Sequence, residues 1–192
     1  YEGDRPPGTV GKPLPGIEVR IADENGNAIK GKDIGIIQLK GDNVFKGYWK
    51  LEEKTKESFS KDGYFITGDL ATRDDDGYFT IVGRDKDMII TGGLNVYPKE
   101  IETLLDEQTG VHESAVVGLP HPDFGETPVA FLVLKPGLEV NLSKIDIFIA
   151  DQLARFKHPK RLIVLDKLPR NTMGKVQKNM LRENYKDLFA RK

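Results

Sequence analysis

Four sets of residues in this sequence can do chemistry on an anionic ligand. Asp69 follows Gly68 in Tyr64-Phe65-Ile66-Thr67-Gly68-Asp69-Leu70. A glycine lets a ligand come close to the backbone. A carboxylate beside it can accept hydrogen bonds from both hydroxyls of a ribose, a common use of an acidic residue in nucleotide sites. Arg84 lies 15 residues on, after a predicted hairpin that can return the chain beside Asp69. A guanidinium there binds ribose or phosphate oxygens in a bidentate fork. Lys175 stands in Pro169-Arg170-Asn171-Thr172-Met173-Gly174-Lys175-Val176, where Pro and Gly hold the loop. Its ammonium is a compact point charge suited to bridging two anions. Gly92-Gly93, followed by Leu94, offers bare backbone along which a narrow, extended ligand can run.

Each has a plainer reading. Asp69 can cap a strand end, Arg84 can pair with Asp85 or Asp87, and Lys175 can be one exposed lysine of a basic tail. Gly92-Gly93 can simply serve a tight hairpin. His121, in Pro120-His121-Pro122-Asp123, reads as structuring its loop rather than as a base.

The composition removes several classes. There are no cysteines among the 192 residues, so disulfides, thiolate metal sites and cysteine nucleophiles are excluded; a cytoplasmic location fits. His112, His121 and His158 do not fall at zinc-ligand spacing. Asp74-Asp75-Asp76 lacks the rest of an EF-hand pattern. No Ser-His-Asp set and no GxxxxGK[ST] loop can be assembled. No apolar run approaches the ~18 residues needed to span a bilayer, and no signal pattern opens the sequence. The net charge is -1 but unevenly placed: residues 155–192 hold 12 Lys/Arg against 3 Asp/Glu, the rest 17 against 27. A basic end is either a solvated surface or an invitation to an anionic partner. Nucleic acid is not the expected partner, because few aromatics interleave with the charges and no nucleic-acid motif is present.

The elements that must position these residues follow from pattern. Residues 1–16 are Gly- and Pro-rich and predict an ordered loop. Ile17 to Ile21 alternates apolar and charged, predicting a half-buried strand, and Asp23 to Gly26 a turn. Strands are predicted over 34–39, 64–67, 69–72 and 78–82, with a charged helix over 51–59. Asp74 to Gly77 supplies the hairpin turn between the last two strands. Residues 1–83 thus predict a small antiparallel, β-barrel-like unit. From 84 to 192 the pattern changes. Residues 88–91 and 95–96 predict a hairpin across Gly92-Gly93, and Pro98 opens a helix to about Glu107. Strands over 113–119, 129–134 and 161–165 and helices over 142–154 and 178–189 complete an α+β domain on a three-stranded sheet.

The succession of Thr67-Gly68-Asp69-Leu70, Gly83-Arg84-Asp85-Lys86-Asp87, the Gly92-Gly93 loop with Tyr97-Pro98-Lys99-Glu100-Ile101-Glu102, and Pro169 to Lys175 resembles the C-terminal part of the adenylate-forming enzymes. This superfamily includes acyl-CoA synthetases, luciferases and peptide-synthetase adenylation domains. Gly8 to Gly16 and Gly41 to Trp49 match as well, so the likeness covers the whole chain. Asn43 to Trp49, His121 to Glu126, Pro169 to Lys178 and Asn184 to Leu188 resemble the malonyl-CoA synthetases in particular.

The resemblance implies two half-reactions: a carboxylate, with malonate suspected, attacks the α-phosphate of ATP with Mg2+, and a thiol, usually that of coenzyme A, then displaces AMP. It implies ribose contacts for Asp69 and Arg84, catalysis by Lys175 and a hinge at Lys86. Gly92, Gly93 and Leu94 would line the pantetheine tunnel; no residue is assigned to a metal. A fatty or aryl acid, or a carrier-protein thiol, is the alternative. The family's phosphate loop and its Tyr-Gly-x-Thr-Glu segment are not in this sequence. The chain is therefore expected to be the tail of a longer enzyme, inactive alone: residues 1–83 the last β subdomain of the large domain, residues 84–192 the mobile C-terminal domain.

Overall fold

The structure is a computed structural model and describes residues 6–190; residues 1–5 of the predicted N-terminal loop lie outside that range. The chain divides into two compact units, Tyr1–Lys86 and Asp87–Lys192.

The first unit is a four-stranded antiparallel sheet in sequence order, β1 (Glu18–Ala22), β2 (Gly35–Lys40), β3 (Phe65–Arg73) and β4 (Phe79–Arg84), with one short helix, α1 (Glu52–Glu57). Alternation puts Ile21, Ile37, Ala71 and Phe79 on one face as a small core, with Val19, Ile29 and Ile81 against it. Two expectations are corrected. No pairing of β1 with β4 closes a barrel among the described residues; instead the loop at Val10 and Gly11 bonds to Phe79 on the β4 edge. The two strands expected over 64–67 and 69–72 are one strand. Gly68, at φ 72°, carries the chain through a bulge instead of ending it.

All five strands expected in the second unit are present, but they form one five-stranded sheet rather than a hairpin beside a three-stranded sheet. β5 (Ile89–Thr91) and β6 (Leu94–Val96) form the glycine hairpin, and β7 (Val111–His121) and β8 (Gly125–Leu134) form a long hairpin. The glycine hairpin joins β8 through Thr91 and Gly125, and β9 (Leu162–Val164) runs parallel to β8. Sequence pattern does not join the hairpin to the sheet because the bridge is a single residue pair, made between segments far apart in sequence.

β7 and β8 read as continuous apolar runs because both faces are covered. One face packs Val116, Ala130 and Leu132 against α2 (Pro98–Asp106) and α3 (Leu142–Gln152) through Ile101, Leu105, Ile145 and Ile149. The other packs Val117, Leu119, Val129, Phe131 and Val133 against Leu168 and α4 (Lys178–Tyr185) through Leu181. Pro98 sits in the first turn of α2, and the Asn141 side chain caps α3 by accepting from the Lys144 N–H. The helix expected to reach Phe189 ends at Tyr185.

Candidate functional site

In the first unit, a β-bulge presents Asp69. Between the pairs Ile36–Leu70 and Gln38–Ile66, one residue of β2 faces three of β3, Thr67-Gly68-Asp69. The Thr67 hydroxyl holds the bulge together: it donates to the Ile37 carbonyl (2.8 Å) and accepts from the Asp69 N–H (3.0 Å). Asp69 lies in register with Arg84 on β4, and the Arg84 Nε stands 2.8 Å from Asp69 Oδ1. Arg84 thus pairs with Asp69, not with Asp85 or Asp87. Both side chains remain open to solvent, at 36% and 52% exposure, so the pair can still take a ligand. A recess of about 220 Å3 beside it is lined by Thr67, Gly68, Arg84, Asp85 and Lys86. Lys86 is exposed in the short 3-10 turn Asp85–Asp87 and is the last residue of the first unit.

In the second unit, Gly92 and Gly93 have φ of 56° and 82°, the pair of positive values that a type I′ hairpin turn requires. The Gly92 N–H donates to the Phe124 carbonyl at 2.9 Å. Ile90, Leu94 and Phe124 are exposed apolar side chains beside this turn.

Lys175 is held by a small hairpin closed by the pairing of Arg170 with Val176. Asn171 organises it: its Oδ1 accepts from the N–H groups of Met173 (3.0 Å) and Lys175 (2.9 Å), and its own N–H donates to the Lys175 carbonyl (3.0 Å). Gly174 takes φ 77° at the tip. The Arg170 guanidinium donates both to the Gly174 carbonyl and to the Glu113 carboxylate on β7. The backbone under Lys175 is therefore fixed while its side chain is exposed and carries no ion pair among the described residues.

Four other basic side chains of the tail pair with acidic residues elsewhere in this unit. Lys157 pairs with Glu100, Lys178 with Glu102 and Arg182 with Asp87 at 2.6 to 2.7 Å, and Arg170 pairs with Glu113. The charge asymmetry of the sequence is to that extent an intramolecular match.

The lysine loop and the glycine turn sit at opposite ends of one β hairpin. Arg170 ties the lysine loop to Glu113, near the start of β7, whereas the glycine turn docks at Gly125, the partner of His121 at its end. Eight strand residues at ~3.3 Å each separate the two attachment points by about 26 Å. The structure thus brings Asp69 and Arg84 together and keeps Lys175 apart from Gly92-Gly93.

His121 stands at the end of a strand, not in a loop. Its Nδ1 accepts from the Asp123 N–H (3.2 Å), and its ring packs on Phe124 and Phe189. Thr67, Glu113, Arg170 and Asn171 escaped the sequence reading. Thr67 and Asn171 carried a local signal, a hydroxyl or amide one or three residues before a glycine; the Glu113–Arg170 pair spans 57 residues and carried none.

Among the described residues no group of three or more His, Cys, Asp or Glu side chains is placed to hold a metal ion.

Two family models match the chain: AMP-binding enzyme over residues 1–49, and AMP-binding enzyme C-terminal domain over residues 100–175. A 3-[(3aS,4S,7aS)-7a-methyl-1,5-dioxo-octahydro-1H-inden-4-yl]propanoyl:CoA ligase of Rhodococcus jostii is 44% identical over 178 residues, which are 93% of this chain and 33% of that protein. A malonate–CoA ligase of Arabidopsis thaliana is 40% identical, over 95% of this chain and 31% of its own length. The ATP-bound crystal structure of MatB from Rhodopseudomonas palustris superposes with a TM-score of 0.93 at 55% identity, covering 98% of this chain and 38% of that one. The chain spans about a third of the length of the curated relatives it matches.

Proposed function

Because this chain belongs to the AMP-binding enzyme superfamily, we propose that it is the C-terminal portion of an ATP-dependent acid–CoA ligase. The enzyme forms an acyl-adenylate and pyrophosphate, then transfers the acyl group to the thiol of coenzyme A and releases AMP. Residues 1–83 form the last β subdomain of the nucleotide-binding body, and residues 84–192 form the domain that moves.

In this reading the open Asp69 carboxylate accepts from the ribose hydroxyls, and Arg84 orients it from the neighbouring strand. Lys175 bridges the substrate carboxylate and the phosphate oxygens. These two anions repel as they approach, and a fixed cation at a water-poor site lowers that barrier by several kcal/mol, of order ~3–4 for one aimed donor. Rotation about Lys86 then withdraws Lys175 and brings in Gly92, Gly93 and Leu94, whose bare backbone lines the path of the pantetheine thiol. The observation that carries the reading is the attachment of the two loops to opposite ends of the β7–β8 hairpin, about 26 Å apart by strand rise. A single rigid unit built this way serves the two steps by turning, not by bending. ATP and Mg2+ are contacted mainly by parts of the ligase that this chain does not include.

Malonate is the acid we favour. It rests on the motifs over 43–49, 121–126 and 169–178 and on similarity to a malonate–CoA ligase. Ligases of an octahydro-indenyl propanoate and of long-chain fatty acids are comparably similar, so pyrophosphate exchange across acids on the full-length ligase decides the substrate.

The site reading is tested at Lys175. Lys175→Ala in the full-length ligase should lower adenylation by at least ~100-fold while leaving thioester formation from supplied acyl-adenylate within about threefold. Loss of both half-reactions would point to folding and remove the assigned role.

A further inference from the structure

Three features attach the glycine hairpin at the start of β8, and one of them is a side chain. Thr91 pairs with Gly125, and the Gly92 N–H donates to the Phe124 carbonyl at 2.9 Å. The third is Glu126, whose Oε2 accepts from the Ile90 N–H at 3.2 Å. The β5–β8 ladder has a single register pair, Thr91 with Gly125. The Ile90 N–H therefore points to a neighbour that supplies no backbone carbonyl at that position, and the carboxylate takes its place.

A second observation concerns Gly118, across the β7–β8 hairpin. A Cβ built there would fall 3.0 Å from Glu126 Oε2, 3.2 Å from its Cδ and 3.0 Å from the Ile89 Cγ2. The φ of Gly118 is not in the left-handed region, so backbone conformation does not call for glycine. The Glu126 carboxylate lies over the bare backbone of Gly118, in the space a side chain would fill.

We propose that Glu126 is a positioning residue for the thiol-transfer step, and that Gly118 is the vacancy that admits its carboxylate. By holding the Ile90 N–H, Glu126 sets the direction in which the Gly92-Gly93 turn projects from the sheet. A turn anchored only at Thr91 and Gly92 pivots about that end; the attachment at Ile90 removes the pivot. This rests on the reading of the turn as part of the pantetheine path, but the attachment can be measured without it.

The test uses three variants. Glu126→Gln keeps an acceptor oxygen, Glu126→Leu removes it at similar volume, and Gly118→Ala displaces it. In the 192-residue chain, Glu126→Leu and Gly118→Ala should speed amide exchange at Ile90 by about tenfold, and Glu126→Gln should leave it nearly unchanged. In the full-length ligase, the first two should slow thioester formation from supplied acyl-adenylate by ~10- to 100-fold at unchanged pyrophosphate exchange. Glu126→Gln should restore most of that rate. Unchanged Ile90 exchange in Glu126→Leu would overturn the attachment. Faster exchange with an undisturbed thioester step would overturn the positioning role. A ligase that forms no thioester even with Glu126 intact would sink the functional reading instead, leaving the exchange result standing.

Discussion

Asp69 and Arg84 face one another in register on β3 and β4, with Arg84 Nε 2.8 Å from Asp69 Oδ1. An ion pair this open to solvent contributes only ~0–1 kcal/mol to stability. A bulge, a glycine at φ 72° and a bridging threonine are an elaborate setting for so small a gain. Bulges of this kind re-aim side chains beside active sites.

Asp69→Asn should therefore shift the melting temperature by no more than a few degrees, since about 1 kcal/mol is at stake. It should weaken AMP binding to the full-length ligase by about tenfold, a loss of one charge-assisted hydrogen bond. Calorimetric titration with AMP reads this directly. Unchanged affinity would remove Asp69 from the nucleotide site.

Lys86 is exposed in a three-residue 3-10 turn at the division between the units. Proline would fix φ near -65° and remove an N–H at that joint. Lys86→Pro should leave adenylation within about threefold and cut thioester formation by ~100-fold or more, as expected for a blocked gating motion. Equal loss in both half-reactions would argue against a hinge.

Glu102 on α2 is 8% exposed, accepts from the Val116 N–H at 2.9 Å and pairs with Lys178 of α4 at 2.6 Å. Its carboxylate therefore ties α2 both to the β7 backbone and directly to α4, which packs on the other face of the sheet. Glu102→Leu leaves both a buried N–H and a largely buried ammonium unpaired, and should cost about 3 kcal/mol. Glu102→Gln still accepts from Val116 and should cost ~1–2 kcal/mol. Urea denaturation followed by signals from the second unit would measure both.

The Asp62 carboxyl is held down to about 2, from an ordinary 3.8, chiefly by the Arg20 guanidinium and then by the Ser60 hydroxyl. Arg20 grips it with two bonds of 2.6 and 2.9 Å. A depressed folded-state value means the stabilisation is fully present above 3.8 and is lost as the pH falls through about 2. The melting-temperature gap between the native chain and Asp62→Asn should be constant at neutral pH and shrink across that acid window. A gap that stays constant to the acid limit would refute the linkage.

The sequence by itself determined the kinds of chemistry on offer and the order of the elements. Turn residues, helix-opening Pro98, apolar periodicity and the residue types at 69, 84 and 175 are local properties, written within a few positions of one another. It also allowed Arg84 to return beside Asp69, because one hairpin with a strong turn at Asp74 to Gly77 joins them, but the bulged register that pairs the two belongs to the fold. The tertiary structure alone decided the rest. Glu113 with Arg170, Glu102 with Lys178, Glu126 with Ile90 and Thr91 with Gly125 are pairs between distant segments. No local preference selects them. They are fixed when β7 and β8 bury both faces, because only then do the strand edges, the vacancy at Gly118 and the two ends of the hairpin acquire positions that other segments must meet.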